Sequence, residues 1–149
     1  SPSVYDASND PFFLQIWSDS LGQPGSLVYS SDNLDFPELY YPHYNSGLNG
    51  FYEYELPILV AVEDTFYIGW KQSTASRLNI GFDKNNKANN YMFYDAGSGW
   101  NMSSYLGSWM IRPLLSMNEI ATETINVMPI FRFYPSPAEA GDLVGLRFC

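Results

Sequence analysis

Side chains that alternate between apolar and polar with a period of two constrain the fold of this chain most. In the run 65–72, Phe66, Ile68 and Trp70 fall on one side of an extended strand, and the residues between them fall on the other. Similar runs occur at 11–17, 26–30, 50–56, 78–84, 90–95 and 108–115. About seven such runs separated by Gly- and Pro-rich turns predict an all-β fold, an antiparallel two-sheet sandwich of jelly-roll type. In that fold, 66–86 is interpreted as two central strands.

The sequence offers no convincing amphipathic helix. The best candidate is 116–124, which is short and contains two threonines, so we interpret it as a turn or an edge. A chain of 149 residues is long enough for one domain with its own core. Because aromatic residues make up 17% of the chain and charged residues only 15%, intrinsic disorder is not expected.

The charge of the chain argues against two classes of partner. The formal net charge is −9, and the seven basic residues are scattered and form no basic stripe. Such a chain repels phosphate backbones and anionic lipid surfaces, so nucleic acid is not an expected partner. The apolar run at 56–62 is far too short to span a bilayer, so membrane insertion is not expected either.

Residues for common catalytic chemistry are scarce. The chain has one His, His43, and one Cys, Cys149, whereas a structural zinc site needs about four such ligands. Neither a nucleophile elbow nor a glycine-rich nucleotide cradle is present. Glu53 and Glu55 could form a pair of acids for glycoside hydrolysis, but they fit better as the solvated face of a strand. We therefore expect no catalytic residues, no enzyme activity and no organic cofactor.

Calcium is the one metal for which the sequence offers ligands. Asp83, Asn85 and Asn90 supply hard oxygen atoms within the loop DKNNKANN. The loop lacks the Gly and Glu of a helix–loop–helix calcium site, and Lys84 and Lys87 oppose a cation. The alternative is an Asn-rich β-turn, because Asn tolerates left-handed backbone geometry.

A candidate ligand surface lies around the loop DAGSGWNMSS. Trp100 in this loop is either a lid over the core or an exposed aromatic platform. Tyr94, Asp95 and Asn101 lie beside it in sequence and could supply a second ring, an acid and an amide. This set predicts binding of a glycan or a protein.

Ordered motifs between residues 11 and 115 give the chain a resemblance to a known module. The motifs are FYIGWKQ (66–72), LNIGFDKN (78–85), an aromatic strand (91–94), GSGW (97–100) and GSWMIRP (107–113). They resemble a β-sandwich module of secreted and surface proteins of Bacteroidetes-type bacteria. The resemblance implies an extracellular or cell-surface location and brings no catalytic residues with it.

A second resemblance lies at 131–148, FRFYPSPAEAGDLVGLRF. It is similar to the first strands of the C-terminal sorting domain of type IX secretion, with Ser136 where Asn is usual. The resemblance implies a β-sandwich module over 1–128, then a linker and a truncated sorting domain over 129–149. The expected function is that of a non-catalytic accessory module binding a glycan or a surface protein. The alternative is a structural spacer without a small-molecule ligand, in contact with neighbouring domains of the same polypeptide.

Overall fold

The described part of the chain consists of short antiparallel strands. A computed structural model describes residues 10–41, 51–74, 80–116, 125–133 and 143–148, and helical geometry within them is limited to one 3-10 turn at Asn89–Tyr91. The prediction of an all-β fold is confirmed, whereas the two-sheet sandwich of jelly-roll type stays a prediction. The strands are β1 (Pro11–Ser20), β2 (Gln23–Ser30), β3 (Leu39–Tyr40), β4 (Tyr52–Glu55), β5 (Val60–Val62), β6 (Phe66–Gln72), β7 (Phe82–Asp83), β8 (Met92–Asp95), β9 (Trp100–Met102), β10 (Ser108–Trp109), β11 (Ile111–Ser116), β12 (Ile125–Phe133) and β13 (Leu143–Phe148).

The largest sheet has seven strands. Its order is β2-β1-β6-β13-β8-β9, and β3 pairs with the first residues of β1. All neighbouring strands of this sheet are antiparallel. β6 lies in its interior, with β1 on one side and β13 on the other. β9 pairs with β8 alone among the described strands. The interior position of β6 agrees with the prediction that 66–72 is a central strand.

A second sheet has four strands built around β12. The last residues of β12 pair with β4, its first residues pair with β5, and β11 runs along its other side. A separate two-stranded ladder joins β7 to β10.

One buried cluster joins both of the larger sheets. The seven-stranded sheet contributes alternate residues of β1 and β6, and the four-stranded sheet contributes residues of or next to β4, β5 and β11. Burial of each large apolar side chain stabilises the fold by about 1.5–3 kcal/mol. Trp70, predicted to pack in the core, is 1% exposed, and the half-buried Trp109 packs edge-on against it with ring centroids 5.4 Å apart. The cluster members are Phe12, Leu14, Ile16, Tyr29, Tyr41, Tyr54, Leu56, Val60, Val62, Phe66, Ile68, Trp70, Ile80, Met92 and Ile111.

The interpretation of 66–86 as two central strands is wrong in its second half. Residues 75–79 lie outside the described residues, and within 80–86 the only strand is Phe82–Asp83, which pairs with β10 outside the seven-stranded sheet. Packing explains the pairing, because the rings of Phe82 and Trp109 meet at 5.1 Å. Gly107 makes this approach possible, since a Cβ there would lie 2.2 Å from the Phe82 ring.

The predicted boundary between residues 128 and 129 falls inside β12. Backbone pairing continues beyond it, and β13 lies between β6 and β8 in the seven-stranded sheet. The strand pairing therefore offers no support for that boundary, and the division into domains stays a prediction. Residues 117–124, interpreted as a turn or an edge, lie outside the described residues.

A two-residue turn joins β1 to β2. Leu21 and Gly22 both have positive φ, at 55° and 85°, which is the pattern of a type I′ hairpin turn. Asp19 accepts a hydrogen bond from the Gly22 backbone N–H at 3.2 Å. Leu21 has no buried surface there, since it is 102% exposed.

Candidate functional site

A second aromatic cluster lies on the seven-stranded sheet, separate from the main core. Trp17 of β1, Tyr67 of β6 and Phe93 of β8 form it, and the partly buried Trp100 of β9 packs against them. The cluster faces away from the main core, because its members alternate along their strands with core residues such as Ile16 and Ile68. We call Trp17, Tyr67, Phe93 and Trp100 the outer cluster.

Edge-to-face ring contacts hold the outer cluster together. The rings of Trp17 and Trp100 meet at 5.0 Å with an interplanar angle of 81°, and those of Tyr67 and Phe93 meet at 5.6 Å and 85°. Contacts of this kind contribute about 0.5–1.5 kcal/mol each beyond the area they bury. Trp17, Tyr67 and Phe93 are at most 5% exposed, so Trp100 is the member of the cluster that a ligand can reach.

An acid lies at one side of the outer cluster. The Tyr67 hydroxyl donates a hydrogen bond of 2.8 Å to Asp19 Oδ1. On the neighbouring part of β1, the Gln15 side-chain amide donates to Ser30 Oγ at 3.1 Å. The hydrogen bond from Tyr67 fixes the position of the Asp19 carboxylate beside the aromatic rings.

The four residues predicted as a ligand surface divide into two pairs on opposite faces of the β8–β9 hairpin. Tyr94 lies opposite Asn101, and Asp95 lies opposite Trp100. Since adjacent residues of a strand point to opposite faces, Asp95 and Trp100 share the face of Phe93, whereas Tyr94 and Asn101 lie on the other. The structure therefore brings the four to one hairpin but not to one surface.

Two of these four residues hold the turn of the hairpin. Asp95 Oδ1 accepts hydrogen bonds from the backbone N–H groups of Gly97 at 2.7 Å and Gly99 at 3.0 Å. The Asn101 amide donates to the Gly99 carbonyl at 2.8 Å. Gly97 and Gly99 have positive φ angles of 96° and 98°, which only glycine adopts readily. Asp95 and Asn101 thus orient the turn that leads into Trp100.

The predicted calcium ligands form a hydrogen-bonded turn. Asp83 Oδ1 accepts the Asn85 backbone N–H at 2.8 Å, and Asp83 Oδ2 accepts the Asn86 side-chain amide. Asn90 Oδ1 accepts the Asn89 amide at 3.2 Å. N–H groups therefore face the oxygen atoms that would ligate a cation, which fits the Asn-rich turn better than a calcium site.

The described residues contain no group of three or more His, Cys, Asp and Glu side chains placed to hold a metal ion. Nor does any helix within them have the length and apolar character needed to cross a membrane. His43 lies outside this part of the chain, as does Cys149.

A shallow cleft of about 220 Å³ opens at the other end of the sheet from β9. It contains none of the predicted site residues, and its volume is below the ~300–1,000 Å³ of ordinary small-ligand pockets. Its lining is Ser18, Val28, Ala61, Val62, Glu63 and Phe66.

Three buried tyrosines have a raised hydroxyl pKa. Burial raises the pKa of Tyr29 to about 12. Burial is also the main cause of the raised pKa of Tyr41 and of Tyr54. The Tyr54 hydroxyl donates to the Tyr40 carbonyl at 2.7 Å, whereas the buried Tyr29 hydroxyl has no hydrogen-bond partner among the described residues. All three are expected to stay neutral in the folded protein at physiological pH.

Sequence reasoning missed Trp17, Tyr67 and Phe93 as parts of a site. The alternation within 11–17 and 65–72 already placed Trp17 and Tyr67 opposite the core-facing residues. The sequence feature that could have indicated this cluster was therefore an aromatic residue on the strand face that was expected to be polar.

Comparisons with known proteins add no assignment. No family model matches the sequence, and neither a curated protein nor a solved structure matches it. The resemblance to a module of secreted Bacteroidetes proteins and to a sorting domain accordingly stays an expectation.

Proposed function

We propose that this chain is a non-catalytic, extracellular accessory module that binds a glycan through the face of the seven-stranded sheet that carries the outer cluster. The observation that supports this proposal is the position of Trp100, which is partly exposed above three buried aromatic side chains. An indole in such a position offers the apolar C–H face of a sugar ring a flat surface to pack against.

The rigidity of Trp100 supports the same proposal. Its ring is fixed by the edge contact with Trp17, and its strand follows a turn that Asp95 closes with two hydrogen bonds. A side chain ordered before binding loses little conformational entropy when a ligand arrives, so more of the contact energy appears as affinity.

A structural spacer that binds no small ligand is the second candidate. Burial of three of the four outer-cluster rings favours it, because those rings then contribute to stability and not to ligand contact. In that case the chain would present neighbouring domains of the same polypeptide at the cell surface.

A glycan array separates the two candidates. The wild type is compared with Trp100→Ala and with Tyr94→Ala, a matched aromatic deletion on the opposite face of the same hairpin. We expect defined glycan signals for the wild type that are lost in Trp100→Ala and kept in Tyr94→Ala. Melting temperatures of all three proteins exclude loss of the fold as the cause.

Other outcomes of the array would change the conclusion. A wild-type profile without signals removes glycan binding and leaves the spacer. Signals that survive Trp100→Ala but not Tyr94→Ala would move the ligand to the face of Asn101. Labelling of intact producing cells with an antibody to this chain tests the proposed surface location, and labelling only after lysis would contradict it.

A further inference from the structure

Among the described strands, β9 lies at an edge of the sheet, and its outward backbone groups can be identified. The Ser103 backbone N–H donates to the Met92 carbonyl at 2.8 Å, and the register places Asn101 opposite Tyr94. Residues along an antiparallel ladder alternate between those that bond to the neighbouring strand and those that do not. Asn101 therefore points its N–H and C=O towards β8, and Trp100 and Met102 point theirs away from it.

Within the described residues, the shortness of β9, three residues long, is the one usual protection of an edge strand that this edge has. Natural edge strands carry charges, prolines or bulges that prevent a second strand from adding to them. β2, at the opposite edge of the sheet, has Pro24 and two register shifts in its ladder with β1. By contrast, residues 96–111 contain no charged residue and no proline. Met102, Tyr105 and Leu106 next to this edge are 54%, 70% and 62% exposed.

We propose that β9 pairs with β9 of a second copy of this chain, antiparallel and about a two-fold axis at Asn101. In this register, Trp100 of each copy lies opposite Met102 of the other, and each such pair exchanges two backbone hydrogen bonds. The four outward N–H and C=O groups of each strand are then all used, in four hydrogen bonds across the axis. Any other register of two identical strands leaves some of these groups without a partner.

Side chains favour the same arrangement, and the edge itself adds no charge repulsion to it. The Met102 thioether of one copy would lie beside the Trp100 indole of the other, a favourable sulfur–aromatic contact. Two copies with a net charge of −9 repel each other over most of their surfaces, whereas residues 96–111 add no charge to the interface. The pairing does not depend on the proposed ligand, and it would place both outer clusters on one face of a continuous sheet.

Sedimentation velocity tests the association. Because a three-residue strand makes an interface well below the ~1,200 Å² of stable complexes, the dimer forms only at high concentration, and the range to cover is about 10–500 µM. Met102→Glu adds a charge at the edge. Leu59→Glu adds the same charge at a side chain that is similarly exposed, 57% against 54%, and that lies just before β5 of the other sheet.

The two variants give distinct expected results. We expect the wild type and Leu59→Glu to shift towards dimer over this range, and Met102→Glu to stay monomeric. A wild type that stays monomeric at the highest concentration overturns the proposal. Equal association of the two variants also overturns it.

Cross-linking tests the register. In a Cys149→Ser background, Asn101→Cys places a thiol on the two-fold axis, where directly opposed Cβ atoms lie about 4.5–5.5 Å apart. Ser98→Cys, in the turn of the same hairpin, is the control because this register keeps it away from its copy. We expect oxidation to give a disulfide-linked dimer for Asn101→Cys alone, and a dimer for Ser98→Cys alone would overturn the register.

Discussion

Replacement of Leu21 by Asn is expected to stabilise the protein. Leu21 occupies the first position of the type I′ turn between β1 and β2, with φ at 55°. For an L-residue other than Gly, left-handed backbone geometry costs about 1–2 kcal/mol, and Asn reduces this cost. Asn-Gly is the pair that this turn prefers, so Leu21→Asn gives the most favourable sequence.

The size of the effect follows from exposure and geometry. The Leu21 side chain is 102% exposed, so its removal loses no packing. Relief of about half of the backbone cost raises the free energy of unfolding by about 0.5–1 kcal/mol. For a chain of this length, that corresponds to a rise of about 1–4 °C in melting temperature.

Calorimetric melting of three proteins measures this effect. Leu34→Asn is the matched control, because Leu34 is 105% exposed and does not have a positive φ. Its free energy of unfolding should stay within the ~0.5 kcal/mol expected of an exposed substitution. Equal gains for Leu21→Asn and Leu34→Asn would show that the effect comes from removal of an exposed apolar side chain and not from the backbone geometry of the turn. A loss of stability in Leu21→Asn would refute the turn geometry.

Three further predictions concern packing, pH and metal. Gly107→Ala should destabilise the protein by at least ~2 kcal/mol, because the new Cβ would lie 2.2 Å from the Phe82 ring. Urea unfolding measures this loss, and an unchanged midpoint would contradict the close packing of Gly107 against Phe82. The raised pKa of Tyr29 and Tyr41 keeps both neutral when folded, so stability present below the unfolded value of 10.0 should fall as pH rises above it. Melting temperature measured against pH should show a smaller alkaline loss in Tyr29→Phe than in the wild type, and parallel curves would count against this assignment. Calcium titration should give no heat, since both Asp83 carboxylate oxygens accept N–H donors; heat that Asp83→Asn abolishes would restore the calcium site.

Local alternation predicted the strands and the core but not the order of the strands. It correctly placed Ile68 and Trp70 in the core, because burial of one face follows directly from a period of two. It could not predict that β13 would lie between β6 and β8, since pairing over such sequence distances leaves no local pattern. Alternation also placed Trp17 and Tyr67 opposite the core-facing residues, but it could not show that they form a cluster, because Tyr67 and Phe93 come together only across β13.

The candidate site stays a prediction, but the structure shows where its residues lie. The sequence left Trp100 as either a lid over the core or an exposed platform, and the structure shows it partly buried against Trp17, while its part in ligand binding stays a prediction. Asp95 and Asn101 were assigned to a ligand because acids and amides beside a ring suit sugars. Their hydrogen bonds to the turn depend on the left-handed geometry of Gly97 and Gly99, which residue type alone does not reveal.

The indole N–H signals in a nitrogen–proton NMR spectrum test the proposed binding face most directly. The chain has four Trp residues, and Trp100→Phe assigns the signal of Trp100 by its loss. During titration with a mixture of neutral oligosaccharides, we expect the Trp100 signal to move while the signals of Trp70 in the core and of Trp109, which packs against it, stay in place. A Trp100 signal that does not move while either of those two indoles does would contradict binding through this face, and a spectrum in which no signal moves would contradict glycan binding.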